Sequence, residues 1–298
     1  MNRKIAVLLI VSLVFVIPSV SAQEVSISEE ANQKSVTVTI DEQGNVHVMH
    51  IVKPSNSPKQ LNLIDGDIQN LTITNEEGIE KTLATVGNND AVIVFPSDNA
   101  STIEYDLKEA LLEKDNVWKW NFRYVQTTSF LLPEELDLIF VNHRPVLFDD
   151  KKGFTCHGCQ MILEYSFNEP KNHMEVNWED RKFLVEIKTF AGIDNFNFDQ
   201  PAREISFKIN EGSQFVTTVI PLELLWGPYA VFVDDDKKLF HEYNNNGTHT
   251  WINLRPDTAG KISIIGTTVV PEFPVIAPLA IGFLMILVIP LMKKFSLH

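Results

Sequence analysis

From Ser35 to Ile40 apolar and hydroxyl-bearing side chains alternate, Asp41-Glu42-Gln43-Gly44-Asn45 interrupts with turn-forming residues, and Val46 to Ile51 alternates again. A period of two sends successive side chains to opposite faces, so this stretch predicts a β-hairpin with one buried face. Short runs of the same kind follow at Leu61–Ile64, Leu71–Thr74, Lys81–Val86, Ala91–Phe95, Thr102–Leu107, Ser129–Leu132, Leu136–Asn142 and Val146–Phe148. Asn, Asp, Gly or Pro clusters separate them, as strand ends require. One stretch differs: Leu107, Ala110 and Leu111 have helical spacing, which predicts one to two helical turns within Asp106–Asp115. Trp118, Trp120 and Phe122 then fall on one face of a strand and are expected in the core.

The polar, proline-broken segment Asn168-Glu169-Pro170-Lys171-Asn172 marks a domain boundary. Beyond it come Met174–Trp178, Phe183–Phe190, Glu204–Ile209, Gln214–Pro221, Tyr229–Val233, Leu239–Tyr243, Thr248–Leu254 and Lys261–Ile265. Many short strands with polar turns between them point to a mainly β fold of two immunoglobulin-like antiparallel β-sandwich domains, at 23–170 and 171–268. Asp234-Asp235-Asp236-Lys237 reads as a solvated turn, because it lacks the spaced oxygen ligands of a calcium loop. Asn244-Asn245-Asn246-Gly247 ends in the Asn-Gly pair that favours a tight hairpin.

The two ends of the chain change the picture. Val275 to Met292 is apolar and uncharged, which predicts a transmembrane helix at 275–292, with a linker at 269–274 and a cytoplasmic tail at 293–298 carrying Lys293 and Lys294. At the other end, Arg3 and Lys4, the apolar stretch Ile5–Ile17 and the small residues of Val20-Ser21-Ala22 predict a signal peptide at 1–22. The expected product is a single-pass cell-membrane protein with its body on the cell surface. Of 39 Asp and Glu only Glu272, and of 25 Lys and Arg only Arg3, Lys4, Lys293 and Lys294, lie outside 23–270, which leaves 38 acidic against 21 basic residues there. Such a surface repels nucleic acid and anionic lipid.

Pro271-Glu272-Phe273, followed by an apolar span and a short basic tail, resembles the PEF/PEFG-type C-terminal sorting segment of surface proteins from ammonia-oxidising archaea, with Pro274 where the PEFG form has glycine. The resemblance implies an archaeal surface protein. It also implies a processing enzyme of the archaeosortase kind as a partner, which would remove the span and attach the protein to lipid. It carries no catalytic residues.

The two cysteines, Cys156 and Cys159, flank His157-Gly158. This spacing suits a small-loop disulfide, two thiolates for a metal together with His157 and a distant ligand, or a redox pair. Covalent haem attachment is disfavoured because Gln160, not histidine, follows the second cysteine. His47-Val48-Met49-His50 also brings soft and imidazole ligands together, but on a strand positions 47 and 50 face opposite sides. Asn70, Asn99 and Asn246 each begin a glycosylation sequon. The chain has no Gly-rich phosphate loop, no Gly-x-Ser-x-Gly elbow and no His-Glu-x-x-His motif. The expectation is therefore a non-enzymatic envelope protein, structural or binding a partner such as a surface-layer protein, with no cofactor. The alternative is a copper-handling or thiol-redox protein acting through Cys156-His157-Gly158-Cys159.

Overall fold

The computed structural model of this chain describes residues 29–136, 138–148, 153–178 and 180–267. The predicted signal peptide, sorting motif Pro271-Glu272-Phe273-Pro274, membrane span and tail lie outside the described residues. Those described are mainly β, with no helix among them and hence none long and apolar enough to cross a membrane. They fall into two compact units, one of residues 29–36 and 49–105 and the other of 37–48 and 106–267.

The first unit holds β1 (Glu29–Glu30), the start of β2 (Gln33–Ile40), the end of β3 (Val46–Val52), β4 (Lys59–Asn62), β5 (Asp67–Thr74), β6 (Thr85–Val86), β7 (Ala91–Val94) and most of β8 (Ser101–Lys108). Strands β1, β4, β7 and β6 form a sheet in that order, with β1 parallel to β4 and the remaining pairs antiparallel. The expected strand at Lys81–Val86 shrinks to Thr85–Val86, where both side chains are exposed and no apolar face drives a longer pairing. Along β8 the inward set is Ser101, Ile103, Tyr105 and Leu107, which keeps the period of two.

A polar network sits inside this apolar unit. His50 and Tyr105 are fully buried. Nδ1 of His50 lies 2.8 Å from the Gln33 side-chain carbonyl, an acceptor only, so Nδ1 carries the proton and Nε2 accepts from the Tyr105 hydroxyl at 2.9 Å. That hydroxyl in turn accepts the backbone N–H of Ile64 at 2.8 Å. Burial pushes the pKa of His50 down to about 4. His47, three residues earlier, points outward to Asp106 at 2.9 Å, so the two histidines occupy opposite faces of β3.

The second unit adds β9 (Leu112–Lys114), β10 (Val117–Arg123), β11 (Thr128–Leu131), β12 (Leu138–Val141), β13 (Arg144–Leu147), β14 (Gly153–Cys156) and β15 (Gln160–Tyr165). Strands β13, β12, β15, β10 and β9 form one antiparallel sheet in that order. A six-stranded sheet has the order β14, β11, β2, β3, β8, β5. The helical turns expected over Asp106–Asp115 are absent: β8 runs to Lys108, Glu109 turns the chain at φ 57°, and β9 follows. Leu107 and Leu111 are both buried, one as a strand residue and one beyond the turn, so a spacing of four arose without a helix. Trp120 and Phe122 are core residues as expected, while Trp118 is half-buried and lies over Gly44. A Cβ on Gly44 would meet the Trp118 ring at 2.3 Å, and its φ of +77° also favours glycine.

Residues 171–265 carry β16 (Lys171–Trp178), β17 (Arg181–Lys188), β18 (Ile193–Asp199), β19 (Glu204–Ile209), β20 (Val216–Pro221), β21 (Ala230–Val233), β22 (Asp236–Lys238), β23 (His241–Asn245), β24 (His249–Leu254) and β25 (Gly260–Ile265). They make two antiparallel five-stranded sheets, β16-β17-β20-β24-β23 and β18-β19-β25-β21-β22. Phe183, Val185 and Ile187 of one sheet share a sandwich-like core with Ile205, Phe207, Ile262 and Ile264 of the other. Strand β20 is buried on both sides and so lacks alternation. Tight hairpins recur with two consecutive left-handed residues: Asp115-Asn116, Asn142-His143 and Asp234-Asp235. Type I′ turns need that backbone, which Asn and Asp tolerate. At Asn246-Gly247 the reversal is also tight, with Gly247 at φ 83° and Asn246 accepting at its side-chain oxygen from the backbone of Thr248 and His249.

Within the second unit β15 is tied to the end of β24 by charge. Glu164 is only 1 % exposed. Its Oε1 accepts from Arg255 at 3.0 Å and lies 3.8 Å from Lys119, while Oε2 lies 3.0 Å from His143 Nδ1, outside hydrogen-bond geometry. The Asn142-His143 tip is stitched to β15 by Asn142 N–H to the Ile162 carbonyl and Ile162 N–H to the Asn142 side chain, both 2.9 Å. Arg255 also donates to the Ser213 carbonyl at 2.8 Å and lies 4.6 Å over the Phe215 ring, which stacks on Phe140 at 3.5 Å.

Two outcomes follow for stability. Arg255→Ala strands a buried carboxylate and is expected to cost about 2–3 kcal/mol in chemical denaturation, at or below the low end for buried pairs because Lys119 remains close. The double change Glu164→Leu with Arg255→Met removes both charges and is expected to recover most of that loss. His50, with a folded pKa of about 4 against 6.5 unfolded, binds its proton more readily when unfolded. Its stabilising contribution is present in full above pH 6.5 and is lost as pH falls toward 4, by about 3 kcal/mol in all. Denaturation midpoints measured from pH 7 to pH 4 are expected to fall less steeply in His50→Gln than in the wild type.

Candidate functional site

Among the described residues of the second unit lies a cleft of about 850 Å³. Leu138 and Phe140 of β12 and Leu147 of β13 supply one wall. Glu135 precedes that wall, and Ser166, Asn168 and Glu169 follow β15 as the chain leaves its sheet. Lys171 of β16, Lys188 of β17, Tyr243 and Asn244 of β23 and Trp251 of β24 complete the lining. Most of these side chains belong to β12, β13, β16, β17, β23 and β24 and the rest to the loops before β12 and after β15, so the walls come largely from paired strands and the cleft is preformed.

Its ionisable groups are shifted by their surroundings. Burial pushes the Glu169 carboxyl up to about 7, against the opposing charge of Lys188. Tyr243 is pushed up to about 12, chiefly by burial and further by the charges of Glu169 and Glu186, with a hydrogen bond to Thr217 working the other way. Glu186 lies behind Lys188 at 3.4 Å. Burial opposes its ionisation, but His173 at 2.9 Å and Lys188 outweigh burial and hold it below the usual carboxylate range. Near neutral pH the Glu169 carboxyl is thus able to donate as well as accept a hydrogen bond, beside two cationic and two amide side chains. A cleft of this size with a perturbed carboxyl and part-exposed aromatics has the chemistry of a binding site for a polar ligand.

Sequence patterning misses this cleft. Asn168-Glu169-Pro170-Lys171-Asn172 reads as a boundary, and Tyr243, Asn244 and Trp251 read as ordinary strand residues. Only the clustering of Asn, Glu and Lys beside a proline marks a place where polar groups accumulate.

The cysteine motif lies elsewhere in the second unit. Cys156 ends β14, and Cys159 stands just before β15, so the chain crosses from the sheet of β11 to the sheet of β10 within the motif. The two cysteines stand at disulfide distance with Cα atoms 5.9 Å apart. Gly158 has φ 55°, and a Cβ there would meet the Val125 carbonyl oxygen at 2.7 Å. His157 is exposed, with Nδ1 3.3 Å from the Thr127 hydroxyl. Among the described residues no three His, Cys, Asp or Glu side chains gather into a metal-holding group, so no further ligand joins Cys156, His157 and Cys159.

The sequon asparagines Asn70, Asn99 and Asn246 are all exposed. Ser101, the third residue of the Asn99 sequon, is buried and accepts from Lys81 at 3.2 Å, whereas the Thr248 hydroxyl of the third sequon donates to Asn246 at 2.9 Å. Within Asp234-Asp235-Asp236, Asp234 accepts the Lys261 N–H at 2.8 Å, which ties the turn to β25.

No family model matches this chain, and no curated protein matches it. Among solved structures, an aminopeptidase N family protein from Idiomarina loihiensis aligns with 50% of this chain at 11% identity and a TM-score of 0.34. The aligned part spans 31% of that structure's length. A likeness this slight carries no argument about fold or activity.

A bridge closing so short a loop contributes about 2 kcal/mol in the chain-entropy model. Cys156→Ser with Cys159→Ser is therefore expected to lower stability by about that amount in urea denaturation, with the far-ultraviolet strand signal unchanged. A loss of structure throughout would contradict a role confined to bracing the corner.

Proposed function

We propose that this chain is a non-enzymatic, exported cell-surface protein that binds a partner through the cleft at Glu169. In this reading the signal peptide at 1–22 directs export, a helix at 275–292 holds the chain in the membrane, and residues 23–270 face outward. The two sheets of 171–268 pack as an immunoglobulin-like sandwich. The sorting motif Pro271-Glu272-Phe273-Pro274 offers a site for an archaeosortase-like enzyme.

The observation that carries the binding role is the cleft itself, preformed by strands and lined by convergent polar and aromatic side chains. Support for the location comes from the apolar segments at both ends and from the cysteine pair at disulfide distance, an arrangement that persists in oxidising compartments. The excess of acidic residues suits a soluble outer body and disfavours nucleic acid as the partner. Among the described residues no further metal-ligating side chain stands with Cys156 and Cys159 to favour the copper alternative.

Membrane fractionation and intact mass of the native protein test this reading. The expected result is recovery with membranes and loss of residues 1–22, with either the full C-terminus retained or an end near Pro271-Glu272-Phe273-Pro274 carrying added lipid. Recovery in the soluble cytosolic fraction with residues 1–22 intact would overturn it.

A further inference from the structure

Lys171 and Lys188 are offset by Glu135 in the cleft and by Glu186, 3.4 Å from Lys188, while Glu169, its pKa pushed up to about 7, carries only part of a charge, so the cleft is close to balanced although the body around it is strongly acidic. A local balance gives no net attraction to an anion or a cation, and a polyanion is further repelled by the rest of the surface. The remaining polar groups, the amides of Asn168 and Asn244 and the hydroxyls of Ser166 and Tyr243, are of a kind that donates and accepts at once. Sugar hydroxyls also donate and accept, and satisfying several of them in one place calls for such bifunctional partners. Tyr243 and Trp251 are part-exposed and supply flat apolar surfaces, against which the C–H face of a sugar ring packs. The volume lies toward the upper end of small-ligand sites, enough for more than a single small ring.

We propose that the cleft binds a neutral oligosaccharide, with Asn168, Asn244 and Glu169 bonding its hydroxyl groups and Tyr243 and Trp251 packing against its ring faces. This rests on reading the cleft as the partner-binding site and adds the chemical class of the partner. The raised pKa of Glu169 fits this role, since a carboxyl that keeps its proton near neutral pH offers a donor as well as an acceptor.

The test uses the full-length protein purified in detergent, titrated with maltotriose, mannotriose and chitotriose and, as a charged control, tri-lysine, with tryptophan fluorescence and calorimetry as readouts. Saturable binding of at least one trisaccharide at or below about 1 mM is expected. Asn244→Ala and Trp251→Ala are each expected to weaken it by about tenfold or more, because each leaves polar or apolar ligand surface without its partner. Trp251→Phe, which keeps an aromatic face and most of the packing, is expected to retain binding better than Trp251→Ala, and thermal unfolding of every variant separates lost binding from lost fold. No binding of any of the three trisaccharides, binding unaffected in folded Asn244→Ala and Trp251→Ala, or binding of tri-lysine alone would overturn the inference. Turnover of a bound trisaccharide would uphold the inference while overturning the non-enzymatic reading. Saccharide binding by a protein that fractionates with the cytosol would uphold it while overturning the cell-surface location.

Discussion

A carboxylate taken almost wholly out of water must be met by positive charge or it destabilises the fold by several kcal/mol. Glu164 is such a group, and it draws together parts of the second unit that are far apart in sequence: Lys119 on β10, His143 at the β12–β13 tip and Arg255 just beyond β24. Arg255 extends the constraint through Phe215 to Phe140. The walls of the cleft are built on this arrangement. Ser166, Asn168 and Glu169 follow Glu164 within a few residues, Trp251 lies on β24 four residues before Arg255, and Phe140 is itself a wall residue. Holding the ion cluster therefore holds the cleft.

The first unit solves its own polar problem differently. His50 is buried, and its neutral form is held by Gln33 and Tyr105 while Tyr105 also takes the Ile64 N–H. Neutral hydrogen bonding suits an apolar interior near pH 7 but fails once the ring must take a proton. The two units thus bury polar groups by different chemistry, one through charge compensation and one through a fixed tautomer.

Much of the strand pattern was legible because alternation is a local property. Ser35–Ile40 alternates in sequence and in burial alike, while Val46–Ile51 and Phe183–Ile187 keep the burial period although His50 takes an inward place and Leu184 an outward one. The helix expected near Leu107 and Leu111 shows the limit of that logic. Two leucines four apart satisfy a helical face, but they satisfy equally a strand end and a residue past a turn, and Glu109 and Asp115-Asn116 in left-handed conformations select the second. Strand β20 shows the opposite failure, since a strand covered on both sides shows no alternation to read.

By itself the sequence determined the β character of the body, the hairpin turns at Asp234-Asp235 and Asn246-Gly247, the opposed faces of His47 and His50, and the acidity of the chain. Each depends on neighbours only a few residues away or on composition alone. Only the tertiary structure decided that Glu164 meets Arg255, that Cys156 and Cys159 bracket a crossing between two sheets, and that Glu169, Lys188, Tyr243 and Trp251 line one cleft. Those pairings join residues separated by a turn between sheets or by many tens of positions. The pairing of strands, which no local pattern specifies, sets which side chains meet and how deeply water is excluded from them.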